Sequence, residues 1–503
     1  MTAVRPENLE MKIPALLHLS RLGYVFLSGA QLRSRDRGTN LLPARLHAAL
    51  ERINGTRVSP ETFDALLEDL RSRLDAPDLG QQFYRLLRDG WQGLRLIDFD
   101  RPERNTFHSA SELTCGKGAG SFRPDIALFV NGLPLAMIEL KRQSRSRSLR
   151  AEYDRMLARF RLREARPYLQ CTQVWAFSDD RTADPDRFEP MEGTWFAAVM
   201  ANEFPVCAVR ETRFRSSHPL VRNPEEEDRI LCAHGLREEA RSQNLHSRKE
   251  TPRAGLRRSS LRSSRPTHRM LTALFAPDNF LFLLHYGIQY LRETDASGQV
   301  SLTRRMLTLE QLGLLKALIR KAERGYRSWT VPACGAAGEE ALNASMLSLL
   351  RDLFPASRLC WVSESPETLK RDQRMFSACG LHAVLPQSDP AGTLMIVSAD
   401  SAPKYLLQNT NIAASSPPIQ FRTPQISEPG PPRVVILPSP SSAFEPGPGL
   451  FARLRRANPA AVLITRSPRP ASESPAGTCG GMLGFSLRLP SENACKNEAI
   501  QPD

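Results

Sequence analysis

Three charged residues, Asp125, Glu139 and Lys141, stand at the outer ends of two otherwise apolar runs in the stretch FRPDIALFVNGLPLAMIELKR, Phe122 to Arg142. Two carboxylates can share a hard divalent cation such as Mg²⁺, which takes oxygen ligands and keeps several waters. Water bound to such an ion can attack phosphorus while the ion offsets the negative charge growing on the phosphate. An amine beside it can orient the water or stabilise the pentacovalent state. The combination is phosphodiester hydrolysis. The plainer alternative is a pair of polar strand ends with one ion pair between them, because an Asp followed at a distance by Glu-x-Lys is a short and degenerate pattern.

Which alternative holds depends on the turn that joins the two runs. Asn131-Gly132 between IALFV and LPLAMI is a strong hairpin signal, since both residues tolerate positive φ. A three-residue loop, Asn131 to Leu133, puts Asp125 directly opposite Glu139 on one face, with Lys141 two positions further along that face. A two-residue loop sends the carboxylates to opposite faces unless a bulge intervenes.

The elements that must hold this ribbon are those of a mixed α/β unit over residues 1–210. Leu9 to Leu22 carries apolar residues at helical spacing (Leu9, Ile13, Leu16, Leu17), with Pro14 in an early turn and Gly23 as a stop. Helical pattern also covers Pro60 to Asp89 and Arg150 to Arg163. LRLIDF (Leu94 to Phe99), TQVWAFS and TWFAAVM read as strands.

At 503 residues the chain exceeds one hydrophobic core, so two or three domains are expected. Residues 211–269 form a basic linker, and its end, SRKETPRAGLRRSSLRSSRPTHR, is nearly free of apolar residues and dense in arginine. A second unit occupies 270–468. It has helical stretches from Met270 to Glu293 and Met306 to Arg324, then strand RSWTV, the glycine-rich ACGAAG, helix EEALNASMLSLLRDLF and strand RLCWVSE, a βαβ pattern extended by GTLMIVS, RVVIL and AAVLIT. Residues 469–503 read as a disordered tail.

The net charge of +14 suits a polyanionic partner, because phosphates are held largely by Lys and Arg. Nine scattered cysteines without a CxxC pair indicate neither a disulfide framework nor a zinc site. The N-terminus lacks an apolar signal core, and no window approaches the ~20 apolar residues of a membrane span. A cytoplasmic protein without membrane contact is expected.

The pattern RPDIALFVNGLPLAMIELK, preceded by LIDFDRPERNTFH and by LEMKIPALLHLSRLGY, resembles the nuclease domain of the restriction subunit of type I restriction endonucleases. The resemblance implies a PD-(D/E)xK fold with Asp125, Glu139 and Lys141 as catalytic triplet, Asp125 and Glu139 as Mg²⁺ ligands, and Glu10 on the first helix completing the acidic site. It also implies double-stranded DNA as substrate, and methylation and specificity subunits as partners. One position departs from the family: the glutamine usual on the helix after the Glu-x-Lys strand is Met156 here, near Phe160 and Arg161. A methionine cannot hydrogen-bond as an amide would, and its plainer role is core packing.

The second unit resembles the first RecA-like lobe of a superfamily 2 translocase, a P-loop NTPase-like parallel-sheet domain, in incomplete form. Gln311 falls where that family has a nucleotide-sensing glutamine, and CWVSESPETLKRDQRMF resembles a later motor motif with Gln373 in register. A working phosphate loop needs glycines, a lysine for the phosphates and a Ser or Thr for Mg²⁺. Gly335 and Gly338 are present in CGAAGEE, but no lysine stands between Lys321 and Lys370. Glu339 and Glu340 replace the cation and hydroxyl, where each would repel a triphosphate by roughly 1 kcal/mol or more.

RVVIL runs into Pro438-Ser439-Pro440-Ser441 in place of the acidic Asp-Glu-Ala-His motif, and Thr465 to Pro468, TRSP, resembles an altered TGTP. The family implies ATP, whereas these residues predict a translocase-like layout without ATPase chemistry and without a second motor lobe. Three functions follow: a Mg²⁺-dependent DNA endonuclease; a catalytically inactive, truncated restriction subunit that binds DNA or docks on partner subunits; and a general nucleic-acid binder acting through the arginine-rich tether.

Overall fold

Every residue from Ile126 to Leu140 is buried. The hairpin therefore lies inside its sheet, and this explains its nearly continuous apolar sequence: a strand covered on both faces has no solvent side on which to alternate. Its strands are β3 (Ile126–Val130) and β4 (Leu133–Leu140). Around them lie β1 (Val25–Phe26), β2 (Phe107–Ser111), β5 (Val174–Ser178), β6 (Thr194–Ala197) and β7 (Cys207–Ala208), in the spatial order β1-β2-β3-β4-β5-β6-β7. The β1–β2 and β4–β5 pairs are parallel and the others antiparallel.

The computed structural model describes residues 8–116, 118–141, 149–160, 162–183, 192–197, 207–209, 214–236, 265–294, 300–324, 328–332, 339–354, 359–363, 366–379, 381, 383–384, 394–398, 434–437, 462–467 and 498–499. The chain divides into two units, Met1–His285 with Leu302–Arg304, and Tyr286–Ser301 with Arg305–Asp503.

The hairpin loop has two residues, with Asn131 at φ 53° and Gly132 at φ 84°. A Cβ on Gly132 would lie 2.7 Å from the Leu42 carbonyl oxygen, so only glycine fits there. The buried Asn131 amide is a hub: its Oδ1 accepts from the Thr106 N–H at 2.8 Å, and its Nδ2 donates to the Leu96 carbonyl and to Asn105 Oδ1.

A two-residue loop would part the carboxylates, but the ladder carries a bulge. Val130 pairs with Leu133 and Phe129 with Pro134, whereas Leu128 pairs with Ala136, leaving Leu135 extra. Pro134 has no N–H to give, and bulges are where sheets tolerate proline. Beyond the bulge, Ile126 pairs with Ile138, so the next positions outward, Asp125 and Glu139, oppose one another.

Helix α1 (Ile13–Arg21) is buried at all nine positions, because elements cover it on several sides. Arg21 is paired with the fully buried Glu227 at 2.8 Å; Glu227 sits on a helix, Pro224–Ala233, capped by the Asn223 side chain. His18 meets Thr272 at 2.8 Å and stacks on His268 with ring centres 4.6 Å apart, both partners being on the helix Pro266–Phe275. The stretch 211–269, read as a basic linker, thus contains packed helix at both ends of its described parts. Its arginine-rich residues 246–264 lie outside the described residues.

Two expectations need correction. Leu94 to Phe99 is not a strand; only a lone bridge, Trp91 to Leu94, forms there. Side-chain amides take the place of a neighbouring ladder: Asn54 bonds both the N–H and the carbonyl of Arg95, and Asn105 does the same for Asp98. The Met270 to Glu293 stretch is two helices, Pro266–Phe275 and Pro277–Tyr286, followed by strand β8 (Ile288–Thr294). Pro277 disfavours helical backbone at the residue before it, and Ala276 is accordingly extended at ψ 134°. β8 pairs with β9 (Val300–Met306) in a separate two-stranded sheet.

The second unit is built on a parallel sheet. Its strands are β10 (Ser328–Pro332), β11 (Leu359–Ser363), β12 (Ala383–Val384), β13 (Leu394–Ser398), β14 (Val434–Leu437), β15 (Val462–Ser467) and β16 (Glu498–Ala499). Among the described residues they lie in the order β12-β13-β11-β14-β15-β10-β16, with every pair parallel. Helices Glu339–Leu353 and Pro366–Ala378 follow β10 and β11 in sequence, as crossover connections between parallel strands require. The chain is thus mixed α/β in both units. No helix among the described residues is long and apolar enough to cross a membrane.

Candidate active site at the hairpin mouth

The bulged register brings Asp125 and Glu139 together at the open end of β3 and β4. Asp125 Oδ2 accepts the Leu140 N–H at 2.8 Å, which fixes its carboxylate across the ribbon. Glu139, only 4% exposed, shares a hydrogen bond with Asp125. Burial, then the charges of Asp125 and Glu152, push the Glu139 carboxyl well above the usual carboxylate range, against the pull of Lys141. Lys141 Nζ stands 3.7 Å from Glu139 Oε2, and its backbone N–H is tied to the Ser178 carbonyl of β5.

Three further charges belong to this cluster, none of them part of the Asp125, Glu139 and Lys141 pattern. Glu152, in the first turn of the helix Leu149–Phe160, lies 3.5 Å from Lys141 Nζ and is also paired with Arg155 at 2.5 Å and Arg159 at 3.6 Å. Lys12 Nζ lies 3.0 Å from Asp125 Oδ1 and 2.9 Å from Glu112 Oε1. Lys12 is 5% exposed, and although burial works against its charge, the two carboxylates leave its ammonium pKa raised. The signal that could have found Glu152 is helical phase: it lies one turn before Met156 on the same amphipathic helix.

Glu10 occupies the same N-terminal turn, Asn8–Lys12, with an exposed side chain, and its carbonyl accepts from Arg265 at 3.2 Å. Met156 is fully buried among Tyr153, Phe177, Trp175 and Met137, so at this position the helix contributes to the core. In the second unit, Gln311 is 3% exposed, and its amide oxygen accepts the Thr308 N–H while its own N–H donates to Thr308 Oγ1, a reciprocal cap on helix Leu309–Glu323. Gly335, Gly338 and Pro438 to Ser441 lie outside the described residues, and Glu339 and Glu340 open the helix Glu339–Leu353.

Asp125 and Glu139 could hold a divalent cation. They offer hard oxygen donors within hydrogen-bonding reach of one another, and the buried Glu139 can ionise cheaply only beside added positive charge. Among the described residues no three His, Cys, Asp or Glu side chains form a metal-holding group. Two carboxylates, with the remaining positions left to water and phosphate, is the usual provision for Mg²⁺.

A central buried β ribbon with paired carboxylates and an amine at its mouth is a nuclease-like arrangement. Residues 5–183, a stretch that contains the hairpin and its acidic cluster, match the family described as type I restriction enzyme R protein N terminus. Two relatives carry related names. The type I restriction enzyme HindI endonuclease subunit of Haemophilus influenzae is 32% identical over 104 residues, 17% of this chain and 10% of that protein. A Methanocaldococcus jannaschii protein named as the MjaIXP type I restriction enzyme endonuclease subunit is 25% identical over 218 residues, 37% of this chain and 20% of its own length. The chain therefore aligns with a fifth or less of each relative.

Proposed function

We propose that the first unit is a Mg²⁺-dependent DNA endonuclease of the type I restriction R-subunit kind, working through the site at the hairpin mouth. The single observation that carries the reading is the meeting of Asp125, Glu139 and Lys141 at one end of the bulged ribbon. Asp125 and Glu139 would hold the ion, which when bound lowers the pKa of its water and offsets charge on a phosphate. Asp125 is oriented for this by the Leu140 N–H.

Lys141 is held between Glu139 and Glu152, so its ammonium is positioned to donate to a non-bridging phosphate oxygen or to the attacking water. Glu152 acts through Lys141 as a positioning residue. Glu10 is assigned as a further acidic group of the site by family likeness. Double-stranded DNA is the proposed substrate, and methylation and specificity subunits are the proposed partners, by analogy with the named relatives.

The second unit is proposed as a RecA-like translocase lobe that has lost its motor chemistry. Its parallel sheet with crossover helices supports the layout, and the missing loop lysine with Glu339 and Glu340 supports the loss. Gln311, Gly335 and Gly338 are then remnants of a nucleotide site. The competing reading, an inactive DNA-binding or docking subunit, is favoured by one observation, the Lys12 ammonium seated against Asp125.

Plasmid cleavage by the purified chain separates the two readings. Nicking or cutting is expected with Mg²⁺ and not with EDTA, and Lys141→Ala should abolish it. A wild-type protein that binds plasmid yet leaves it intact in Mg²⁺ would establish the inactive reading instead.

A further inference from the structure

Lys12 sits where a cation is needed. Its ammonium is 3.0 Å from Asp125 Oδ1, the oxygen left over after Oδ2 has taken the Leu140 N–H. A divalent ion bound to that same oxygen at ~2.1 Å would stand within about 5 Å of the ammonium at its present position, a like-charge contact in a poorly solvated site.

The second partner of Lys12 differs from the first. Glu112 has a side chain 52% exposed and lies just past the end of β2, at φ 50°, in the left-handed region that only a few non-glycine residues adopt. Its N–H donates to the Asp125 carbonyl at 3.2 Å, so the residue that shares Lys12 is tied to the backbone of the site itself. One acceptor faces the candidate site and the other faces water.

We propose that Lys12 is a resident counter-cation of the carboxylate pair, and that a divalent ion enters only by displacing it from Asp125 onto Glu112. The inference rests on the reading of Asp125 as a metal ligand. It makes Lys12 a gate on metal loading: the ammonium neutralises the carboxylates while the ion is away and remains paired, through Glu112, when the ion arrives. Removing the lysine should tighten metal binding. Removing Glu112 should weaken it, since the displaced ammonium then has no acceptor. A lysine that merely pins the N-terminal turn to the sheet predicts neither effect.

The test is calorimetric titration of the full chain with Mn²⁺ alone, for wild type, Lys12→Met, Glu112→Gln and Asp125→Asn, with thermal melting of each. Expected are a Kd at least about tenfold lower for Lys12→Met, severalfold higher for Glu112→Gln, and binding lost in Asp125→Asn. Folded Lys12→Met with unchanged or weaker affinity overturns the gate. Should Lys12→Met not fold, Glu112→Gln still decides: wild-type affinity in that variant overturns it equally. Undiminished binding in Asp125→Asn, or no binding by wild type and Lys12→Met alike, overturns the metal site itself and the gate with it.

Discussion

The two units of this chain are both sheets flanked by helices, and they treat their strand ends in opposite ways. In the first, the ribbon β3–β4 ends in Asp125, Glu139 and Lys141, and neighbouring elements add Glu152, Lys12 and Glu112 until the charges answer one another. In the second, the sequence after β10 has Gly335 and Gly338 and no lysine, and the sequence after β14 is Pro438-Ser439-Pro440-Ser441. Ligands of open parallel sheets bind beyond the carboxyl ends of the strands. On the reading proposed above for the second unit, the layout of strands and helices and the chemistry at their ends are separable: the unit has a parallel sheet with its crossovers, and the sequence after β10 offers no lysine for a phosphate.

The largest effect should come from the chemistry of the first unit. Asp125→Ala or Glu139→Ala is expected to reduce Mg²⁺-dependent plasmid cleavage by about a thousandfold or more, with the melting of Glu139→Ala unchanged or raised because a costly buried carboxylate is removed. Loss of cleavage together with unfolding would assign these residues to the scaffold instead.

The scaffold of the same unit gives the next effect. Glu227→Ala strips the buried Arg21 of its carboxylate and should destabilise the first unit by about 3–5 kcal/mol in urea unfolding. A smaller, pH-dependent effect belongs to His108, whose imidazole accepts from Arg45 and whose pKa is pushed down to about 4 by burial and by Arg45 and Arg52. Below about pH 6.5 the unfolded chain takes up a proton that the native His108 refuses, so stability falls as pH drops from about 6.5 towards 4. Roughly 2 kcal/mol should be lost between pH 7 and pH 5, and His108→Gln should flatten that part of the profile. The smallest expected effect is none: ATP should neither be hydrolysed above background, with or without DNA, nor alter the cleavage rate. ATP turnover that depended on Gln311 would erase the contrast between the units.

Much of the first unit can be read from its residues. The Asn131-Gly132 turn, the flanking apolar runs and the charge triplet follow from local rules of turn chemistry and strand period. The exact pairing does not, because a two-residue loop and a three-residue loop predict opposite faces, and the bulge at Leu135 that reconciles them is not specified by the turn residues. Leu94 to Phe99 has strand-like residues, yet Asn54 and Asn131 from distant parts of the chain and Asn105 from the following loop hydrogen-bond its backbone. Lys12 and Glu112 are one hundred positions apart, and no local pattern records a pair formed by tertiary contact. Met156 shows the converse: its helical phase pointed inward, and it lies in the core.

The extra residue of β4 carries one more implication. Loss of the single codon for Leu135 would only turn the ribbon into a regular two-residue hairpin, since the pairs on either side of the bulge would become consecutive and Asp125 would still face Glu139. Loss of one codon within β3, with the bulge retained, would instead set Asp125 against Ile138 and turn Glu139 to the other side of the sheet. A gene of this kind can thus be silenced by a three-nucleotide deletion in β3 that no inventory of its acidic and basic residues would reveal.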